Sequence, residues 1–359
     1  MKKILLALII AVFVVSSCRK NNSVEILSET ISFNSNLALN LDSVINFTKY
    51  ILLEDSEKSL FRDAHKVLIK ENKIFILDII SKSVLIFNTD GTFINKVGNI
   101  GQGPGEFTNP TDFDIDLDGN VFIYNGAKKE ILKYNTQGLF MKSLKTPFDI
   151  DNFSILPNGR FLFALARYNS RECKNYQFAV TDSLLNIESC DILYDDNYDP
   201  NYILETFMQK SQDGIMYYKP VGDIAYLFSE VGLEKKIGFD MGTKRVPEQL
   251  RKDLGKLKRM SDTSYEFVIN TPILIKNYLV GTMIQQNVIT FFMYDIKTKS
   301  MYQEQQSKIL PVSYVNESTF LSIINAVVYP DYFLDKELTS EQKRYLENGG
   351  TILCLHTII

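Results

Sequence analysis

From residue 44 onward the chain is written as short apolar runs, rich in Ile, Val, Phe, Leu and Tyr, broken every few residues by Gly, Asn, Asp or Pro. Runs of this length and composition predict β-strands rather than helices. The pattern also repeats. Residues 72–97 (NKIFILDIISKSVLIFNTDGTFINKV) align without a gap on residues 119–144 (GNVFIYNGAKKEILKYNTQGLFMKSL), with Phe75 on Phe122, Ile76 on Ile123, Leu85 on Leu132, Asn88 on Asn135 and Gly91 on Gly138. Each unit reads as a strand, a polar break, a second strand, a turn at Asp90-Gly91 or Gln137-Gly138, and a third strand. A repeat of about 45 residues made of antiparallel strands is the mark of a propeller blade.

Weaker copies follow. Asn158-Gly159 opens Arg160 to Leu165 and a hairpin across Phe178 to Ile187, and Asp213-Gly214 opens Ile215 to Tyr218 and Ala225 to Phe228. Tyr278 to Met283 pairs with Ile289 to Asp295, and Thr319 to Tyr329 begins the last unit. The count predicts an all-β fold, a single six-bladed β-propeller over residues 44–359, with seven blades as the alternative. Val44 to Leu53 and Thr351 to Ile359 are strand-like and lie at opposite ends of that region. Pairing them in one blade would close the ring and remove open sheet edges. Two segments break the β rhythm. Val246 to Met260, with Pro247 near its start and Leu250, Leu254 and Leu257 in register, predicts an inserted amphipathic helix; Thr339 to Glu347 carries a Thr339…Gln342 capping-box spacing and Gly349 beyond its end.

The amino terminus has a different pattern. Lys2 and Lys3 precede an uncharged apolar run from Ile4 to Val15. About twelve residues at roughly 1.5 Å each cover only about 18 Å, short of the ~30 Å hydrocarbon core, so the run reads as an export signal. Val15-Ser16-Ser17-Cys18 resembles the lipobox of bacterial lipoproteins. That resemblance implies a signal over residues 1–17, acylation of Cys18, and a polar tether over residues 18–43. Two or more acyl chains would hold the protein to a membrane stably. Arg19 is not the aspartate that retains lipoproteins in the inner membrane, so the expected location is the outer membrane, facing the periplasm.

Gly98-Asn99-Ile100-Gly101-Gln102-Gly103-Pro104-Gly105-Glu106-Phe107, followed by Asp116-Leu117-Asp118-Gly119-Asn120, resembles the NHL repeat. Together with the lipobox and the later Gly238-Phe239-Asp240-Met241-Gly242, the chain is similar to the six-bladed β-propeller lipoproteins of Gram-negative bacteria. Related propellers include protein-binding modules and a few metal-dependent enzymes. Within this loop, Gly101, Gly103, Pro104, Gly105, Glu106 and Phe107 are expected to carry the chain from the edge of one blade to the centre of the next. No Gly-Lys-Ser/Thr follows, and a strand comes next, so it is not a phosphate loop.

Composition narrows the function. Loss of Lys2 and Lys3 with the signal takes the net charge from −4 to −6, which argues against a nucleic-acid surface. Asp112, Asp114, Asp116 and Asp118 alternate with Phe113, Ile115 and Leu117, which places the carboxylates on one face of an inner strand. Asp114, Asp116 and Asp118 are the candidates for a divalent cation. However, the twelfth position counted from Asp114 is Asn125 rather than the glutamate of a calcium loop. With only His65 and His356 in the chain, a histidine-rich metal site has few ligands; no cofactor is expected beyond that cation. No nucleophile elbow occurs, and no catalytic residue is assigned. Lys244, Arg245, Arg251, Lys252, Lys256, Lys258 and Arg259 make the inserted helix basic, a solvated face or a dock for an acidic partner. Cys173 and Cys190 could pair in an oxidising compartment, although a hairpin turning at Ser183-Leu184 would set Phe178 opposite Cys190. The expected function is a lipid-anchored binding or scaffolding module for a protein, peptide or glycan; the alternative is a lactonase-like or lyase-like enzyme with a carboxylate-bound cation in the channel.

Overall fold

A computed structural model describes residues 27–33, 39–194, 208–253, 255–256, 264–307, 309–325 and 338–359. The signal, Cys18, Lys258, Arg259 and residues 326–329 lie outside these. Apart from one two-stranded ribbon in a connection, the described strands form six sheets, antiparallel but for one added strand, arranged as blades around a channel, so the ring has six blades and not seven. Blade 1 runs through Lys66–Lys70, Lys73–Asp78, Ser83–Asn88 and Phe93–Val97. Blade 2 comprises Pro110–Ile115, Val121–Asn125, Glu130–Tyr134 and Phe140–Lys145, and blade 3 Ile150–Ile155, Phe161–Leu165, Tyr176–Thr181 and Ile187–Leu193. Blade 4 holds Gln209–Ser211, Gly214–Tyr218, Ile224–Ser229 and Gly232–Asp240. In blade 5, Phe267–Val268 and Ile273–Ile275 both pair with Tyr278–Gln285, followed by Val288–Asp295 and Ser300–Gln305.

Blade 6 closes the ring as the sequence predicts. Pro311–Asn316, Thr319–Ile324 and Ile352–Ile358 come from the carboxyl end, and Ile45–Leu52 from the amino end adds the outer strand, antiparallel to Ile352–Ile358. The unit begins at Pro311, earlier than the Thr319 expected.

The second strands bury both faces, which is why runs such as Val121–Asn125 and Phe161–Leu165 are nearly continuous in apolar residues, whereas outer strands such as Phe140–Lys145 stand exposed. Alternate side chains serve opposite seams. In blade 1, Leu68, Phe75, Leu77 and Ile86 pack against blade 2, whereas Val67, Ile74, Ile76 and Phe87 pack against blade 6. Six such clusters, one per seam, make up the core. Fully burying each large side chain is worth roughly 1.5–3 kcal/mol, so a seam with a dozen of them holds its blades firmly.

Three expectations change. Leu27–Ser32, within the stretch read as tether, is a fifth strand laid parallel on Gly232–Asp240 of blade 4. Phe33 then wedges against Phe239 and Phe292, and Leu39 bridges to Tyr302 of blade 5 before the chain enters blade 6. This lead-in therefore laces the rims of blades 4, 5 and 6. Of the inserted helix the described residues show one turn, Glu248–Arg251, and helical residues 255–256, with part of the expected 246–260 span outside the described residues. Ala179 and not Phe178 sits opposite Cys190, and Cys173 nevertheless forms a disulfide with Cys190, Cα atoms 5.6 Å apart, because the 166–175 connection folds back over the sheet. The second helix, Ser340–Glu347, has the predicted box: the Thr339 hydroxyl accepts from Gln342 N at 3.2 Å, and Thr339 N donates to the Gln342 side chain at 2.8 Å.

Candidate functional site

The innermost strand of each blade runs along the channel and ends in a turn to the second strand, so these turns ring one mouth of the channel, here termed the turn face. The connections between second and third strands, and between blades, ring the opposite loop face. Blade 2 explains why the two ends differ. Its inner strand, Pro110–Ile115, points Asp112 and Asp114 toward the channel, and both carboxylates are fully buried.

Both are fully engaged. Asp112 accepts from Lys66 Nζ of blade 1 at 2.8 Å and from Phe153 N of blade 3 at 2.8 Å. Asp114 accepts from Ser154 Oγ at 2.6 Å and Ile155 N at 2.7 Å, and pairs with Lys210 Nζ of blade 4 at 2.9 Å. Two carboxylates on one strand thus tie four blades together. Burial pushes Asp112 above the usual carboxylate range despite Lys66 beside it. Burial acts on Asp114 in the same direction, but the ammonium groups of Lys210 and Lys66, with the Ser154 and Ile155 donors, outweigh it and hold Asp114 low.

Directly beyond this network, on the turn face, lies a cavity of about 540 Å³. Leu68, Ile115, Ile155, Leu156, Ile215 and Val315 give it apolar walls, and Lys70, Asp213, Glu230 and Tyr314 stand among the groups lining it. Its size and its mixture of apolar wall and a few polar groups are those of a ligand site. Lys210, with 29% of its side chain exposed, forms the polar floor. The turns that frame the cavity are tight. Glu71 and Asn72 take positive φ of 49° and 61° in a two-residue link. Asp116 caps its own turn by accepting from Asp118 N and Asn120 N, and it pairs with Lys133 at 3.2 Å.

The three cation candidates therefore separate. Asp114 is in the buried floor beside Lys210, Asp116 is spent on its turn and on Lys133, and Asp118 stands exposed at the turn. Among the described residues no group of three or more His, Cys, Asp or Glu gathers around one point. Two ammonium groups already neutralise Asp112 and Asp114, so a cation there would have to displace Lys66 and Lys210.

The Gly98–Asn109 connection crosses from blade 1 to blade 2 on the loop face. Asn99–Ile100 pairs with Glu106–Phe107, and the Glu106 carboxylate accepts from Gly103 N at 2.8 Å. Gly105, at φ +73°, sits against the Phe140 ring and offers its carbonyl to Tyr134 Oη at 3.0 Å, so a side chain there has no room. Pro104 lies in the turn between the two short strands. On the same face Asp151 is exposed, yet desolvation by the surrounding protein lifts its carboxyl to about 6, with Lys219 pulling the other way. Arg167 lies 4.8 Å over the Tyr194 ring.

Sequence reasoning missed two pairs. Lys66 and Lys210 were not singled out, although a lysine opening a buried apolar strand is itself a signal, since lysine is rarely buried unpaired. It also found no serine beside a base, whereas the fold sets Ser322 Oγ 2.7 Å from His356 Nε2. That pair is sealed inside blade 6, its ring stacked on Phe320, and burial holds His356 down to about 4. Three of the basic residues at the inserted helix are likewise occupied: Arg245 and Arg251 both grip Asp223, and Lys244 pairs with Glu266 at 2.6 Å.

The family described as "Domain of unknown function (DUF4934)" matches residues 25–348. No curated protein matches the chain. Among solved structures, a Bacteroides fragilis NCTC 9343 protein named as a candidate exported protein superposes with a TM-score of 0.75 at 18% identity, covering 93% of this chain and 99% of its own. A DUF4221 family member from Bacteroides vulgatus ATCC 8482 superposes with a TM-score of 0.57 at 7% identity, over 88% of this chain and 98% of its own. At these identities the likeness is one of fold.

Proposed function

The chain belongs to the family described as "Domain of unknown function (DUF4934)", and from that premise we propose that it is an exported, lipid-anchored binding propeller of the cell envelope. It holds a protein, peptide or glycan at the turn-face mouth of its channel. The cavity of about 540 Å³ over a self-neutralised floor carries this reading. Such a floor is rigid because every buried charge has its partner, and it offers a bound molecule a fixed shape instead of a reactive group. The export signal and the Val15-Ser16-Ser17-Cys18 pattern support the anchor, and the likeness to a Bacteroides fragilis protein named as a candidate exported one agrees with export. Outer-membrane placement facing the periplasm rests on Arg19.

The test has two arms. Mass spectrometry of the mature chain should find acyl chains on Cys18, and a Cys18→Ser form should leave the membrane fraction. Envelope proteins crosslinked to the wild-type chain should be lost from a Val315→Phe form, which fills the cavity. Identical crosslinked sets from both forms would remove the cavity from the function.

A further inference from the structure

The charges around the cavity say which kind of ligand it suits. Its floor offers no net charge, because Lys66 and Lys210 cancel Asp112 and Asp114, and Asp116 in the wall is answered by Lys133. What remains at the opening is Lys70 against Asp213 and Glu230. Among the described residues neither of these two acids has an ion-pair partner. The neighbouring turns between first and second strands add exposed acids of their own: Glu71 in blade 1, Asp118 in blade 2 and Glu317 in blade 6. Glu71 leans over Gly119 of the adjoining turn. Tyr314, which lines the cavity, registers this surplus, since burial and then the carboxylates of Glu317 and Asp213 raise its phenol.

An apolar hollow rimmed by acids on low-dielectric walls concentrates negative potential at its opening. We infer that the cavity takes a basic peptide segment, seating an aliphatic or aromatic side chain against Leu68, Ile115, Ile155 and Val315 while adjacent Lys or Arg residues meet Asp213 and Glu230. This deepens the proposed function and rests on its assignment of the cavity. Of the two lysines among the described residues that line the cavity, an acidic ligand would have Lys70 to receive it, because Lys210 is committed to Asp114 and to the Ile155 carbonyl at 3.3 Å.

The chain contains no tryptophan, so Leu117→Trp at the exposed rim supplies a single fluorophore beside the opening. The probes are two blocked pentapeptides, Leu-Lys-Leu-Lys-Leu and Leu-Glu-Leu-Glu-Leu, titrated onto the full lipidated chain in nanodiscs, with empty nanodiscs as the blank. The basic peptide should bind at least about tenfold more tightly than the acidic one, and raising salt from 20 to 300 mM should weaken it at least about threefold, as expected for rim charges. Asp213→Asn with Glu230→Gln should bring the two peptides within about twofold of each other. Equal or reversed preference, with binding still abolished by Val315→Phe, overturns the ligand class and leaves the cavity standing. Failure of both peptides to bind, or binding that ignores Val315→Phe, overturns both.

Discussion

Near the channel, blades 1 to 4 are held to one another by charge, whereas blades 5 and 6 meet through rings. On the first side Asp112 and Asp114 reach Lys66, Lys210 and the backbone of blade 3. On the second, Phe291 stacks on Phe320 and Phe320 on His356, and the polar ties are neutral-acceptor ones, Asn270 donating to the Pro311 carbonyl at 2.9 Å and Lys276 Nζ to the Ile358 carbonyl at 2.6 Å. Buried ion pairs seldom stabilise more than well-packed apolar groups of the same volume. What they add is geometry, since each charge accepts only one arrangement of partners. The charged half is also the half that supplies most of the cavity walls, so the molecule places its directional contacts where a shape must be kept and its non-directional ones where the ring has only to close.

The strongest way to break this contrast is to orphan a charge. Asp114→Ala strips Lys210 and Ile155 N of their partner and should cost about 3–5 kcal/mol in urea unfolding. Asp114→Leu with Lys210→Met, which removes both charges, should cost clearly less; an equal loss would mean that the pair matters for stability and not for arrangement. The aromatic half is sharpened by acid. His356 ordinarily titrates near 6.5 but is held at about 4 in the fold. The unfolded chain therefore takes up a proton first, so stability is complete above pH 6.5 and falls as pH drops toward 4. At about 1.4 kcal/mol per pH unit the loss approaches about 3 kcal/mol. His356→Gln should flatten that stretch of the stability profile relative to wild type. The smallest effect belongs to Asp151, whose carboxyl is raised to about 6. Its ionisation burdens the fold as pH rises from 3.8 toward 6 and above, but the side chain is exposed and solvent screens most of that burden, so Asp151→Asn should raise Tm at pH 8 by about 1 °C and leave it unchanged near pH 3.5.

Blades 1 and 2 were legible in the sequence because their third-to-fourth strand turns both use glycine at positive φ, Gly91 and Gly138, at matching positions. Blade 3 keeps a glycine at its first turn, Gly159, but bends with Leu185 at the later one, and blade 5 bends with Lys276, Gln286 and Asn287, so the repeat fades although the strands persist. Leu27–Ser32 was unreadable as a strand: four of the six residues of LSETIS are polar, and the segment gains its place from the rim of blade 4. For the site, the alternation of Asp112, Asp114, Asp116 and Asp118 located the channel face, but its partners are set by the ring. Lys66 and Lys210 come from blades on either side of Asp112 and Asp114, and local spacing holds no trace of that meeting. The register across Cys190 slipped by one residue because Val180 and Thr181 carry an irregularity that no turn letter announces.

Closure has a consequence in time. Ile45–Leu52 is made early, and its hydrogen-bonding partner Ile352–Ile358 is made last, about 300 residues afterward. Until then the growing chain is an open arc with an unsatisfied strand at its leading end, exposed to pairing with any neighbour. A messenger truncated anywhere before codon 352 would thus yield a ring without its latch, however many complete blades it encodes.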